Sequence, residues 1–75
     1  MIDTTRTNSY QVPATETTVS LPDGRTMVFV RREGQDDVSI GDTSLSYTLA
    51  QYEAGIAKAR AAGATITERA GYAYR

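Results

Sequence analysis

One stretch, Thr26-Met27-Val28-Phe29-Val30, held between Arg25 and Arg31, constrains the fold more than any other part of the chain. Read as a strand, it points Met27 and Phe29 to one face and Val28 and Val30 to the other. A strand apolar on both faces requires cover on both sides. The sequence predicts one substantial helix, which is enough for one face. The second face then needs an arm, a second subunit or a partner.

The neighbouring residues place this strand in a hairpin. Glu16 to Leu21 alternates, with Val19 and Leu21 on one side, as a half-buried strand does. Pro22-Asp23-Gly24 is a turn, because Pro presets φ and Gly accepts a positive φ. Arg25 to Arg32 is the return strand. Glu33-Gly34-Gln35-Asp36 forms the next turn, Asp37 to Ile40 a short strand, Gly41-Asp42 another turn and Thr43 to Tyr47 a last strand. Asp36, Asp37 and Asp42 lack the alternating ligands and closing bidentate Glu of a calcium loop, so they read as acidic turn residues.

The helix has readable ends. Thr48 with Gln51 fits a capping box, and Tyr47 with Tyr52 fits a hydrophobic staple. The predicted helix runs from Leu49 to Ala62, with Gly63 as its left-handed cap. Lys58 and Arg60 lie near its negative end. Its apolar stripe, Leu49, Tyr52, Ile56 and Ala59, is narrow. The adjacent face, Ala50, Ala54, Ala57 and Ala61, consists of small residues that let another backbone approach, although Ala is also the best helix former. Beyond Gly63, alternation around Ile66 suggests a brief strand, and Tyr72 and Tyr74 share a face if the end is extended.

These elements predict an α+β fold: a small three-stranded antiparallel sheet, built from a β-hairpin and a third or fourth short strand, packed on one C-terminal helix. The domain spans residues 16–63. Residues 1–15 are threonine-rich, polar and aperiodic, and read as an extended N-terminal arm anchored by Ile2, Tyr10 and Val12. Residues 64–75 read as an extended C-terminal tail.

Composition narrows the function. The chain has 75 residues and neither cysteine nor histidine. A domain this short buries only about 60 % of the surface its unfolded chain exposes. Disulfides and Cys/His zinc sites are excluded, which leaves oligomerisation or a partner as the source of extra stability. The same absences remove a Cys nucleophile and a His base, so a non-enzymatic chain with no cofactor and no small-molecule substrate is expected. The net charge is −1 with signs interspersed and a single lysine. This argues against direct nucleic-acid binding, which needs clustered cations. Arg31-Arg32 and Lys58/Arg60 read as solvated ends of a strand and a helix. No apolar run suits a membrane span or a secretory leader, so the expectation is a mature chain beginning at Met1 and located in the cytoplasm, or within a virion.

A binding role directs attention to residues suited to interfaces. The candidates are Tyr10 and Val12 on the arm, Val28, Val30, Arg31 and Arg32 on the doubly apolar strand, Ala50, Tyr52, Ala54 and Ala57 on the helix, and Tyr72 and Tyr74 on the tail. Tyr and Arg are enriched in binding hot spots.

Leu45-Ser46-Tyr47-Thr48-Leu49-Ala50-Gln51-Tyr52, continuing to Arg60 and Gly63, resembles the strand-into-helix segment of the BldB-like family, small actinobacterial proteins carrying a domain of unknown function. Pro22-Asp23-Gly24 and Val28 to Arg31 are similar to that family's hairpin turn and Val-Arg strand end, and Asn8-Ser9-Tyr10 to its Ser-rich start. The resemblance covers about two thirds of the chain. It departs at Tyr52, where the family has Trp, at Arg32-Glu33-Gly34, where the family has Asp-Ser-Lys, in a longer loop up to Thr43 and in a longer tail. The resemblance implies a non-catalytic, self-associating accessory to transcriptional control, of a kind often encoded beside helix-turn-helix regulators, and the reading it favours is an adaptor that binds itself and a DNA-binding protein. A second reading from the residues is a structural subunit, such as a phage virion accessory or decoration protein, that laces onto neighbours with residues 1–15 and 65–75.

Overall fold

The hairpin forms where its turn chemistry places it. The computed structural model describes residues 2–41 and 43–75, so Asp42, one of the acidic turn residues, and Met1 of the arm lie outside the described residues. Strand β1 (Gln11–Ser20) and strand β2 (Thr26–Arg32) are joined through Pro22-Asp23-Gly24. Gly24 takes φ +94°, a region that a side chain disfavours. Asp23 Oδ1 accepts from the Arg25 N–H at 3.0 Å. That backbone hydrogen bond, with the Arg25 guanidinium alongside at 2.7 Å, holds the Asp23 carboxyl below its usual range.

Three further strands complete one sheet in the order β4-β3-β2-β1-β5. They are β3 (Asp37–Ile40), β4 (Ser46–Thr48) and β5 (Thr65–Tyr74), and every neighbouring pair is antiparallel. The fold is therefore α+β, but the sheet has five strands rather than three. The single helix, α1 (Leu49–Ala61), lies between β4 and β5 and is not the last element. Residues 64–75 are not a loose tail: Thr65 to Tyr74 pair with β1 along its whole length. The arm is also shorter than expected, because β1 begins at Gln11.

Pro13 sits inside β1 without disrupting it. Opposite Tyr72 its backbone faces β2, and β2 has ended at that level. The Pro13 carbonyl still accepts from the Glu33 N–H at 2.9 Å, and the missing N–H faces the turn after β2 and not the β5 ladder.

Both helix ends close as their sequences suggest. Thr48 Oγ1 accepts from the Gln51 N–H and Gln51 Oε1 from the Thr48 N–H, which completes the capping box. At the other end Gly63 has φ +87°, and the Ala64 and Gly63 N–H groups reach the Ala59 and Arg60 carbonyls at 3.0 Å each. This is a Schellman closure.

The two faces of β2 are covered differently. Val19, Phe29 and Val38 form the core under α1, with Ile40, Leu49, Tyr52, Ile56, Ala59 and Ile66 packed against it. On the opposite face Val30 is buried with Ala14, Ala73 and Ile2. The second cover of the doubly apolar strand is thus partly the chain's own N-terminus. Asp3 bridges Tyr72 on the outer side of β5 through two backbone hydrogen bonds of 2.7 Å. Gly71 makes this possible, since a Cβ there would overlap the Asp3 carbonyl oxygen and meet Ile2 Cδ1 at 3.0 Å. Gln11, 1 % exposed, ties down the intervening loop. Its Oε1 accepts from the Thr7 N–H, the Thr7 hydroxyl and the Asn8 N–H, and its Nε2 donates to Asp3 Oδ2.

Candidate functional site

None of the helix residues is buried, although the predicted stripe does face the sheet. The reason is geometric. α1 packs on the sheet through Leu49, Tyr52, Ile56 and Ala59, each only half-buried, and clefts open along both flanks of Tyr52 and Ile56. Tyr52 meets Phe29 edge-on, with centroids 5.3 Å apart, and Tyr47 tilts against the same ring at 6.2 Å. The proposed staple pair therefore converges on Phe29.

One of these separations is a groove of about 400 Å³ between α1 and the hairpin. Its floor is Val19, Leu21, Met27 and Phe29, and its helix wall is Tyr52, Gly55, Ile56 and Ala59, with Tyr47 and Ala62 at the ends. Gln51 and Lys58 supply its polar side chains. Met27 and Tyr47 are each 38 % exposed. Gly55 lies on this wall, where a Cβ would meet no atom within 4 Å. A cleft of this size with an aliphatic and aromatic lining binds apolar groups by removing them from water. The opposite flank of the helix holds a smaller cleft of about 240 Å³ bounded by Glu53, Ala57, Arg60, Thr17, Ile66 and Glu68.

The predicted interface residues divide between these surfaces and the interior. Tyr52 lines both clefts, and Ala57 lines the second. Ala50 and Ala54 are exposed on the helix. Tyr10 and Tyr74 are exposed near the end of the sheet where Asn8 Nδ2 donates to the Tyr74 hydroxyl at 2.8 Å. Arg31 is exposed, while Val12, Val28 and Tyr72 are half-buried in the sheet. Two candidates are taken up within the chain, Val30 by burial and the half-buried Arg32 by its hydrogen bonds. Val30 is 1 % exposed beneath Ile2, so it presents no surface to a partner. Arg32 is engaged across the sheet, donating from Nε to the Tyr74 carbonyl and from Nη1 to Ser39 Oγ at 2.7 Å.

Met27, Leu21 and Gly55 line the groove, and none of them was singled out as an interface residue. The available signal was Gly55, a glycine in the middle of an Ala-rich helix, where it costs about 1 kcal/mol relative to Ala. Among the described residues no group of three or more acidic side chains could hold a metal ion. No helix is long and apolar enough to cross a membrane. Comparison with protein-family models, curated proteins and solved structures gives no match in any of the three.

Proposed function

We propose that the chain is a non-catalytic protein–protein interaction module, a self-associating accessory to a transcriptional regulator. It holds its partner in the groove between α1 and the β1–β2 hairpin. The observation that carries this reading is the groove itself, an open apolar cleft of about 400 Å³ in a domain of 75 residues. Its rim carries Met and Tyr, residue types enriched at protein interfaces. An amphipathic segment of the regulator seats its apolar side chains on Met27 and Phe29, as helices seat in grooves elsewhere. The BldB-like resemblance at Tyr47-Thr48 and Tyr52 supports the regulatory setting.

The structural-subunit alternative draws on Tyr10 and Tyr74, which are 73 % and 53 % exposed. Lacing needs free arms, however, and the arm from Gln11 onward and the tail from Thr65 to Tyr74 pair with each other in the chain's own sheet.

The test compares retention of a helix-turn-helix protein by the wild-type chain and by Met27→Glu, followed by titration of the purified pair. Met27 is at the groove rim, so the substitution places a charge on the contact without emptying the core. Binding should weaken by about tenfold to a hundredfold, the usual cost of burying an unpaired charge at an interface. Equal retention by both chains, or retention of capsid or tail proteins instead, would overturn the reading.

A further inference from the structure

β5 is an edge strand of ten residues, and among the described residues its outer side forms one backbone bridge, Tyr72 with Asp3. The reciprocal bonds between Asp3 and Tyr72 place the backbone groups of Tyr72 on that outer side. Backbone groups alternate along a strand, so those of Ile66, Glu68 and Ala70 point outward too. Among the described residues they have no backbone partner there. β5 has no proline and keeps an unbroken register with β1 from Thr65 to Tyr74. The other edge, β4, has only three residues. A long, regular, open edge is a template for another strand.

We propose that this edge pairs with a second copy of the chain, β5 against β5 and antiparallel, with Thr67 on the two-fold axis. The register follows by elimination. Outward residues must oppose outward residues, so the axis passes through residue 66, 67, 68 or 69. An axis at Glu68 or Arg69 sets a like charge directly opposite its own copy, which is destabilising. The Arg69 axis also needs the outer side of Tyr72, which Asp3 holds. An axis at Ile66 pairs Glu68 with Ala64, whose N–H is already bound to the Ala59 carbonyl. The axis at Thr67 sets Thr67 beside Thr67 of the second copy, Ile66 opposite Glu68 and Thr65 opposite Arg69. Arg69 is already held to Glu16 at 3.3 Å, so its charge is balanced within its own chain. Ile66 and Glu68 of the two copies then exchange four backbone hydrogen bonds.

This inference names the surface for the self-association proposed above. It stands on the sheet edge and not on the groove, so the two succeed or fail separately. The chain contains no cysteine, which makes a single introduced thiol a clean probe. In a non-hydrogen-bonded pair the Cα atoms lie about 4.5 Å apart, within disulfide range. Oxidised Thr67→Cys should therefore become a covalent dimer. Thr65→Cys should form no covalent dimer, because its copies lie four residues apart along the strand, about 13 Å.

Glu68→Pro removes two of the four intermolecular bonds and none to β1, since that N–H points outward. In sedimentation equilibrium it should weaken the dimer by about tenfold, with the far-ultraviolet circular dichroism spectrum unchanged. Met27→Glu should leave cross-linking at Thr67 intact. Equal cross-linking at Thr65 and Thr67, no cross-linking at Thr67, or a Glu68→Pro dimer as tight as wild type would overturn the proposal.

Discussion

Replacing Gly71 by Ala should detach the N-terminal hook while leaving β5 itself unstrained. The φ of Gly71 lies outside the positive region, so the β5 backbone accepts a side chain. The obstacle is the Asp3 carbonyl, which the new methyl would overlap, with Ile2 Cδ1 close behind. Three contributions are lost when the hook leaves. The buried Ile2 side chain is worth about 1.5–3 kcal/mol. The two Asp3–Tyr72 backbone bonds and the Gln11–Asp3 bond are worth roughly 1 kcal/mol each. Freeing residues 2 and 3 returns about 1–2 kcal/mol of backbone entropy apiece. The Ala also restricts the unfolded chain, which returns about 0.4–1 kcal/mol.

The balance is a loss of about 1–2 kcal/mol, or a fall in Tm of about 5–15 °C for a domain of this size. The assay is thermal unfolding of four chains: wild type, Gly71→Ala, a chain lacking residues 1–3, and both changes together. If the methyl acts through the hook, the double variant is no less stable than the truncated chain. The Tyr72 amide, donated to Asp3 in the wild type, should also lose its protection from hydrogen exchange. If Gly71→Ala costs the truncated chain as much as the full one, the hook reasoning is refuted.

Two further outcomes follow from other positions. Gly55→Ala should stabilise the chain by about 0.5–1 kcal/mol, because its Cβ meets open space in an exposed helix interior; chemical denaturation would show it as a higher midpoint at unchanged slope. Asp23 has a lowered pKa, so its contribution is present above the ordinary carboxylate range and is lost as pH falls through its folded-state value. An NMR titration should place the Asp23 midpoint below that of the same residue in a denatured chain, and Arg25→Ala should raise it.

What was legible in the sequence was local. Pro22-Asp23-Gly24, the Thr48/Gln51 box and Gly63 each encode a conformation within four residues, and each occurs as read. The stripe Leu49, Tyr52, Ile56 and Ala59 faces the core for the same reason. β3 was legible in full, Asp37 to Ile40, because turn residues bound it. The first residues of β1 were not, since Pro13 and the polar residues around it lack alternation and Gln11 to Pro13 pair with β5, far along the chain. β5 carries few apolar residues, and its order comes from a partner strand distant in the chain.

The requirement for two-sided cover was readable in Met27 to Val30. That Ile2 would supply part of it was not, because the contact needs Gly71 to admit the Asp3 backbone. The groove was hidden for a related reason. It arises from how α1 and the hairpin sit against each other, and no single residue encodes that spacing.

The pairing of β1 with β5 also determines when the molecule can form. Its contacts join residues separated by 45 positions, Ser20 with Thr65, up to 63 positions, Gln11 with Tyr74. Contacts this distant slow folding, because the intervening loop must close before they reward it. On the ribosome β1 can find β2 as soon as the hairpin has emerged, but its other flank waits until β3, β4, α1 and β5 have followed. During that interval β1 is itself an open edge. The newborn chain is therefore open to mispairing until β5 has emerged, and a synonymous pause placed within the codons for α1 should prolong that exposure.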